Sequence, residues 1–252
     1  MTPRPDPALE SWCAALEKRH LASLTFPEVR RALQALSSLY VERRERIAGG
    51  RALDGAGKRA AFALFYAPLH YMIVGAIVRA LDAPPPPARI VDLGCGTGAA
   101  GAAWARSIPG RTRVAGIDAS GWAIAEARWN FAALGVDGTL RRGDLLAARL
   151  GAPAEGIVAA YTVNELADAA RERLRTALLG AAESGSRVLV VEPIAKRSVP
   201  WWSGWAGVFR EAGGREDLWR FPADLPEPVK RLDRAAGLDH RELTARSLWL
   251  AR

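Results

Sequence analysis

Apolar positions recur at three- and four-residue spacing through the first part of the chain. Leu9, Trp12 and Leu16, then Val29, Leu33, Leu36, Leu39 and Tyr40 after a break at Pro27, form stripes with charges opposite. That period is helical, so residues 8–82 are read as a helical N-terminal region with little strand character. Within it, Ala60–Val78 carries no charge over 19 residues, close to the roughly 20 a spanning helix needs. Pro68 and His70 near its middle and Arg59 and Arg79 at its edges favour a buried helix, apolar all round, and no membrane partner is expected.

Pro84–Pro87 is a four-proline run, read as a short stiff linker between residues 1–83 and a second domain over 88–252. Beyond it the period changes. Short β-rich runs (ARIVDL, RVAGID, GTLRRGD, GIVAAYT, SRVLVVEP) alternate with helical stretches at 99–107, 120–134 and 164–180. Such alternation predicts an α/β fold whose sheet is mostly parallel and sandwiched by helices. Toward the end, WWSGWAGVFREAGG reads as a helix stopped by Gly213 and Gly214, REDLWRF as a strand, PEPVKRLDRAAGL as a helix and ELTARSLWLAR as a closing strand.

Composition narrows the chemistry. The formal net charge is +8, and the first 60 residues hold 11 Lys and Arg against 7 Asp and Glu, which favours polyanionic partners or reflects a solvated basic face. Cys13 and Cys95 stand alone and His20, His70 and His240 are scattered, so neither a disulfide framework nor a protein-built metal site is expected. The opening MTPRPDPALESW lacks an apolar h-region, which points to the reducing cytoplasm.

The most informative segment is Val91–Gly98, VDLGCGTG, which leaves a strand, places three glycines in five residues and enters a helix. Gly94 and Gly96 let the backbone turn and a ligand approach, with Cys95 between them and Gly98 at the helix entry. The spacing Gly94, Gly96, Ala99 also satisfies the dinucleotide pattern GxGxxG/A. Asp92 separates the two: a carboxylate there repels a pyrophosphate but suits a ligand with an ammonium group, such as the methionyl end of S-adenosylmethionine (SAM). Asp118 ends the next strand 20 residues after Gly98, placed to accept from ribose hydroxyls with Ala119 beside it, and Asp144 follows the third strand, where an adenine edge would lie. Taken singly, Asp118 and Asp144 are equally ordinary caps; the ordered set carries the cofactor reading.

With these residues in place the chain resembles the class I SAM-dependent methyltransferases over residues 88 to about 252. The resemblance implies a Rossmann-like seven-stranded sheet, with Asp92, Gly94, Gly96 and Gly98 at the methionyl part, Asp118 at the ribose and Asp144 with Leu145 at the adenine. YTVNEL after the fourth strand, VLVVEP after the fifth, and upstream LSSLY and AFALFYAPLHY are similar to a methyltransferase-like family associated with the small ribosomal subunit of bacteria and mitochondria. Two departures are Tyr66, where that family commonly has arginine, and the lack of its terminal cysteine cluster. The resemblance implies ribosomal RNA, or the small subunit, as acceptor or partner.

The position after the fourth strand is where this fold brings an acceptor to the methyl group. Tyr161, Asn164 and Glu165 are the catalytic candidates there, with Tyr161 also near the cofactor, and Glu192 is an alternative base. Thr162 or Asn164 equally suits capping of the next helix. No N-P-P-Y-like signature follows Asn164, which disfavours exocyclic-amine methylation. Three functions stay open: methylation of RNA; methylation of a small molecule in a pocket lined by Trp201, Trp202 and Trp205; and a non-catalytic SAM-binding assembly factor. Tyr66, His70 and Tyr71 are either a lid over the cofactor or core.

Overall fold

The computed structural model describes residues 7–42, 53–81, 87–107, 110–152, 154–195 and 199–251. Short apolar runs after residue 88 form strands because they are buried on both faces. Ile90–Leu93, Gly156–Ala159 and Val188–Glu192 are all buried, as central strands of a parallel sheet must be. The strands are β1 (Arg89–Leu93), β2 (Arg113–Asp118), β3 (Gly138–Arg142), β4 (Gly156–Ala160), β5 (Arg187–Glu192), β6 (Arg215–Pro222) and β7 (Glu242–Leu250). Their order in one seven-stranded sheet is β3-β2-β1-β4-β5-β7-β6. The β3–β2, β2–β1, β1–β4 and β4–β5 pairs are parallel, and β7 runs antiparallel to β5, pairing Val188 with Leu250 and Glu192 with Arg246. This is the mostly parallel sheet the alternation predicts, with the Rossmann-like, seven-stranded form that the resemblance implies.

The helices are α1 (Pro7–His20), α2 (Phe26–Glu42), α3 (Ala56–Ala61), α4 (Ala67–Ala80), α5 (Ala99–Ser107), α6 (Gly121–Leu134), α7 (Asp168–Glu183), α8 (Trp202–Glu211) and α9 (Glu227–Ala236). A π-helical turn at Phe62–Tyr66 joins α3 to α4, so 56–80 is a continuous helix. It is long and apolar enough to cross a membrane, yet 72% of its apolar window is buried inside the protein.

Contacts divide the chain into two units, residues 1–70 with 222–243 and residues 71–221 with 244–252. The division therefore differs from a cut at 83/84, and Pro84–Pro86 lie outside the described residues. The reason lies in α9, whose buried Val229, Leu232 and Ala236 pack against the N-terminal helices. In the first unit Gln34 Nε2 donates to Ala236 O (3.4 Å), the Arg231 guanidinium lies 5.6 Å from the Phe26 ring, and Arg231 pairs with Glu17.

In the second unit, one face of the sheet packs Val91, Leu93, Ile157, Val188, Val190 and Leu248 against α7 and α8 through Leu174, Leu178, Trp205 and Phe209. Trp104 of α5 meets Trp249 of β7 at 5.8 Å. Ser120 caps α6 by accepting from Ala123 N at 3.3 Å, and Gly135 ends it at φ +65°, a left-handed stop that glycine takes without steric cost. The C-terminal ends of β1, β2 and β4 converge where successive crossovers leave β1 in opposite directions, the place where open α/β sheets bind ligands.

Candidate cofactor and acceptor site

The glycine loop forms because three positions need positive φ: Gly94 at +64°, Gly96 at +52° and Gly98 at +79°. A Cβ would mean something different at each. At Gly94 it would lie 2.3 Å from Thr162 Cγ2, and at Gly98 2.6 Å from Phe131 Cε1. At Gly96 it would meet nothing within 4 Å. Two of the glycines are therefore packing requirements, and Gly96 is where bare backbone faces open space. Asn130, fully buried on α6, donates from Nδ2 to Thr97 O (2.9 Å) and pins the loop from below.

The acids hold this loop. Asp118 Oδ2 accepts from Gly96 N (2.9 Å) and Oδ1 from Ser120 N (2.7 Å), so one carboxylate at the end of β2 joins the loop to the start of α6. Asp92 lies beneath the loop, 1% exposed, with Oδ2 accepting from Gly101 N (2.8 Å). Burial, reinforced by the charge of Asp118, pushes its carboxyl up to about 7 against the backbone bond from Gly101. Cys95 between the glycines is buried, and its thiol is raised by burial and by Asp92 and Asp118. Ala119 O accepts from Arg142 Nε (3.0 Å). Asp144 is exposed and caps a 3-10 turn, Leu145–Ala147, by accepting from Leu146 N (2.9 Å).

The other wall is the segment after β4. Tyr161 has φ +58° with its N–H donating to Val191 O (2.8 Å). A bulky residue in the left-handed region is a genuine outlier, and such strain gathers at functional sites. The Tyr161 hydroxyl is raised by burial and by the charge of Glu192. Val163–Glu165 forms a 3-10 turn, and α7 begins only at Asp168, not at 164. The N-cap of α7 is Ala167, so neither Thr162 nor Asn164 caps it. Asn164 N donates to Oε1 of the buried Glu192 (3.1 Å), and its Oδ1 accepts from Trp201 Nε1 (3.4 Å). Glu165 is accessible to water, yet crowding by protein and the negative charge of Asp118 push its carboxyl up to about 7. Glu165 is thus close enough to Asp118 to feel it, which brings the acceptor candidates to the cofactor loop.

Sequence reasoning missed the roles of two residues here. Thr162, nearly buried, has its hydroxyl 3.0 Å from Gly94 O and 3.1 Å from Ala160 O. Arg171 holds the turn, with Nη2 donating to Leu166 O (2.6 Å), Nε to Val163 O (3.3 Å) and Nη1 paired with Asp168. Its guanidinium lies 5.6 Å from the ring of Trp201. Trp202 and Trp205 are core, and only Trp201 of the three reaches the turn, half-buried. Of the lid candidates, Tyr66 and His70 pack on Phe62 in the first unit, and burial drives the His70 imidazole down to about 3.

Residues 90–184, from β1 through α7, match the family model described as Methyltransferase domain. Over those residues the chain is similar to methyltransferase domains. SAM is the methyl donor of many such domains, and the loop fits it: backbone open at Gly96 with the Asp118 carboxylate beside it, where a cationic ligand finds a negative partner. A protein of Nostoc punctiforme PCC 73102 described as an O-methyltransferase is 15% identical, with 86% of this chain and 71% of that one covered at a TM-score of 0.56. Mitomycin 7-O-methyltransferase MmcR is 15% identical over 99% of this chain and 74% of its own, TM-score 0.52. These likenesses establish the fold. A SAM-dependent methyltransferase of Thiobacillus denitrificans, in complex with S-adenosyl-L-homocysteine, is 17% identical over 73% and 92%, TM-score 0.47. No curated protein matches the chain in sequence.

Proposed function

We propose that the methyltransferase domain serves methylation of RNA, most plainly ribosomal RNA, at the turn after β4. The observation that carries methyl transfer is the open Gly96 backbone between the Asp118 carboxylate and that turn. SAM supplies a methyl group already activated on sulfur, so the protein mainly has to align the acceptor and exclude water. In this reading Gly96 and Asp118 hold the donor, Asp144 and Leu145 flank its adenine end, Asn164 orients the acceptor and Glu165 takes the acceptor's proton. A carboxyl near 7 is matched to proton removal at neutral pH.

The RNA reading draws on charge. The site is acidic while the chain is +8, and Arg128, Arg141 and Arg142 are exposed on and beside the edge strand β3. Such a patch suits phosphates. Incubation with methyl-labelled SAM should label ribosomal RNA or small ribosomal subunits, and an unlabelled RNA pool would overturn the RNA acceptor. A second reading, a small aromatic acceptor, is favoured by the indole of Trp201 bonded to Asn164; transfer to small phenols with RNA unlabelled would establish it instead. Cytoplasmic localisation accompanies either reading.

A further inference from the structure

We infer that Thr162 is a positioning residue that fastens the turn after β4 to the glycine loop, so that filling the loop orders the acceptor side of the site. The inference rests on reading Gly94–Gly98 as the cofactor cradle.

Four observations meet at this residue. Its hydroxyl has one proton, shared between Gly94 O at 3.0 Å and Ala160 O at 3.1 Å, so the end of β1 and the end of β4 are tied through one side-chain atom. Its methyl fills the place a Cβ at Gly94 would take, at 2.3 Å, so loop and turn interlock by shape as well as by hydrogen bond. The preceding residue, Tyr161, is held at φ +58°, a conformation a bulky side chain keeps only when its surroundings enforce it. On the other side, Asn164 N donates to the buried Glu192, anchoring the turn to β5. A segment strained at 161 and tied at 162 and 164 has little freedom to shift apart from the glycine loop.

Chemically, the tie answers a requirement of methyl transfer. Donor and acceptor must be aligned to within a fraction of an ångström, yet they are held by different strands. Serine at 162 keeps the hydroxyl and loses the methyl; valine keeps the shape and loses the donor; alanine loses both. The hydroxyl bond to Gly94 O is the part that couples the two segments.

The test uses the intact chain and S-adenosyl-L-homocysteine as probe, with amide hydrogen exchange as the readout. In the unsubstituted protein the probe should slow exchange at Gly96–Gly98 and, about tenfold, at Asn164–Leu166. In Thr162→Val the first protection should persist and the second should be lost, and Thr162→Ser should retain both. Should Thr162→Val fail to fold, Thr162→Ala carries the same expectation. Protection of Asn164–Leu166 that survives loss of the hydroxyl, or that never appears in the unsubstituted protein, overturns the coupling. A flat calorimetric titration with the probe would instead remove the cofactor reading itself, and the coupling with it.

Discussion

At the scale of single residues, the three glycines of one loop separate into different physical roles. Gly94→Ala places a methyl 2.3 Å from Thr162 in a left-handed conformation, and should lower stability by about 2 to 3 kcal/mol. Gly96→Ala meets no protein atom and should cost only about 1 kcal/mol while abolishing SAM binding. Thermal melts with calorimetry separate the two, and equal loss of stability in both would contradict the assignment. Two acids with raised carboxyls add a pH dependence. Asp92 and Glu165 keep their protons to about 7 when folded, whereas unfolded carboxyls release them near pH 4. Between those values the folded state binds more protons, so this contribution to stability is complete at the acid end, declines as pH rises and levels off above 7. Melting temperatures at pH 5 and pH 8 should therefore differ less in Asp92→Asn than in the unsubstituted chain.

At the scale of elements, the strands, the glycine loop and the order of the acids are legible from the sequence because each reflects a local rule. Apolar runs of five or six residues mark strands buried on both faces, and a D-x-G-x-G-x-G stretch after a strand has few other uses. What stays hidden depends on contacts between distant segments. Thr162 is an ordinary threonine until Gly94 is brought against it, 68 residues away in sequence. Asn164 and Glu165 look like the start of a helix, but the Arg171 guanidinium draws in the carbonyls of Val163 and Leu166 and delays α7 to Asp168. Arg171→Ala should raise amide exchange across 163–168 and cost about 1 to 3 kcal/mol by leaving those carbonyls without their charged donor. Arg171→Lys should not rescue it, since one ammonium cannot reproduce the planar fork. Exchange rates unchanged in Arg171→Ala would show that the turn holds itself.

At the scale of the molecule, positive charge lies outside an acidic site. If RNA is the acceptor, its affinity should fall steeply with salt, and replacing Arg128, Arg141 and Arg142 together by Ala should reduce the slope of log affinity against log salt by about 2. Filter binding at several ionic strengths measures it, and an unaltered slope would place the RNA elsewhere. The first contact unit draws on both ends of the sequence, residues 1–70 and 222–243. Its helices α1 and α2 await α9, which supplies Arg231 to Glu17 and the carbonyl of Ala236 to Gln34. A ribosome making this chain releases α1 and α2 more than 150 residues before their partner. Through most of translation the leucine stripes of these helices have only the 56–66 segment as native cover, and chaperone capture of the nascent chain should peak before residue 243 emerges and subside once it does.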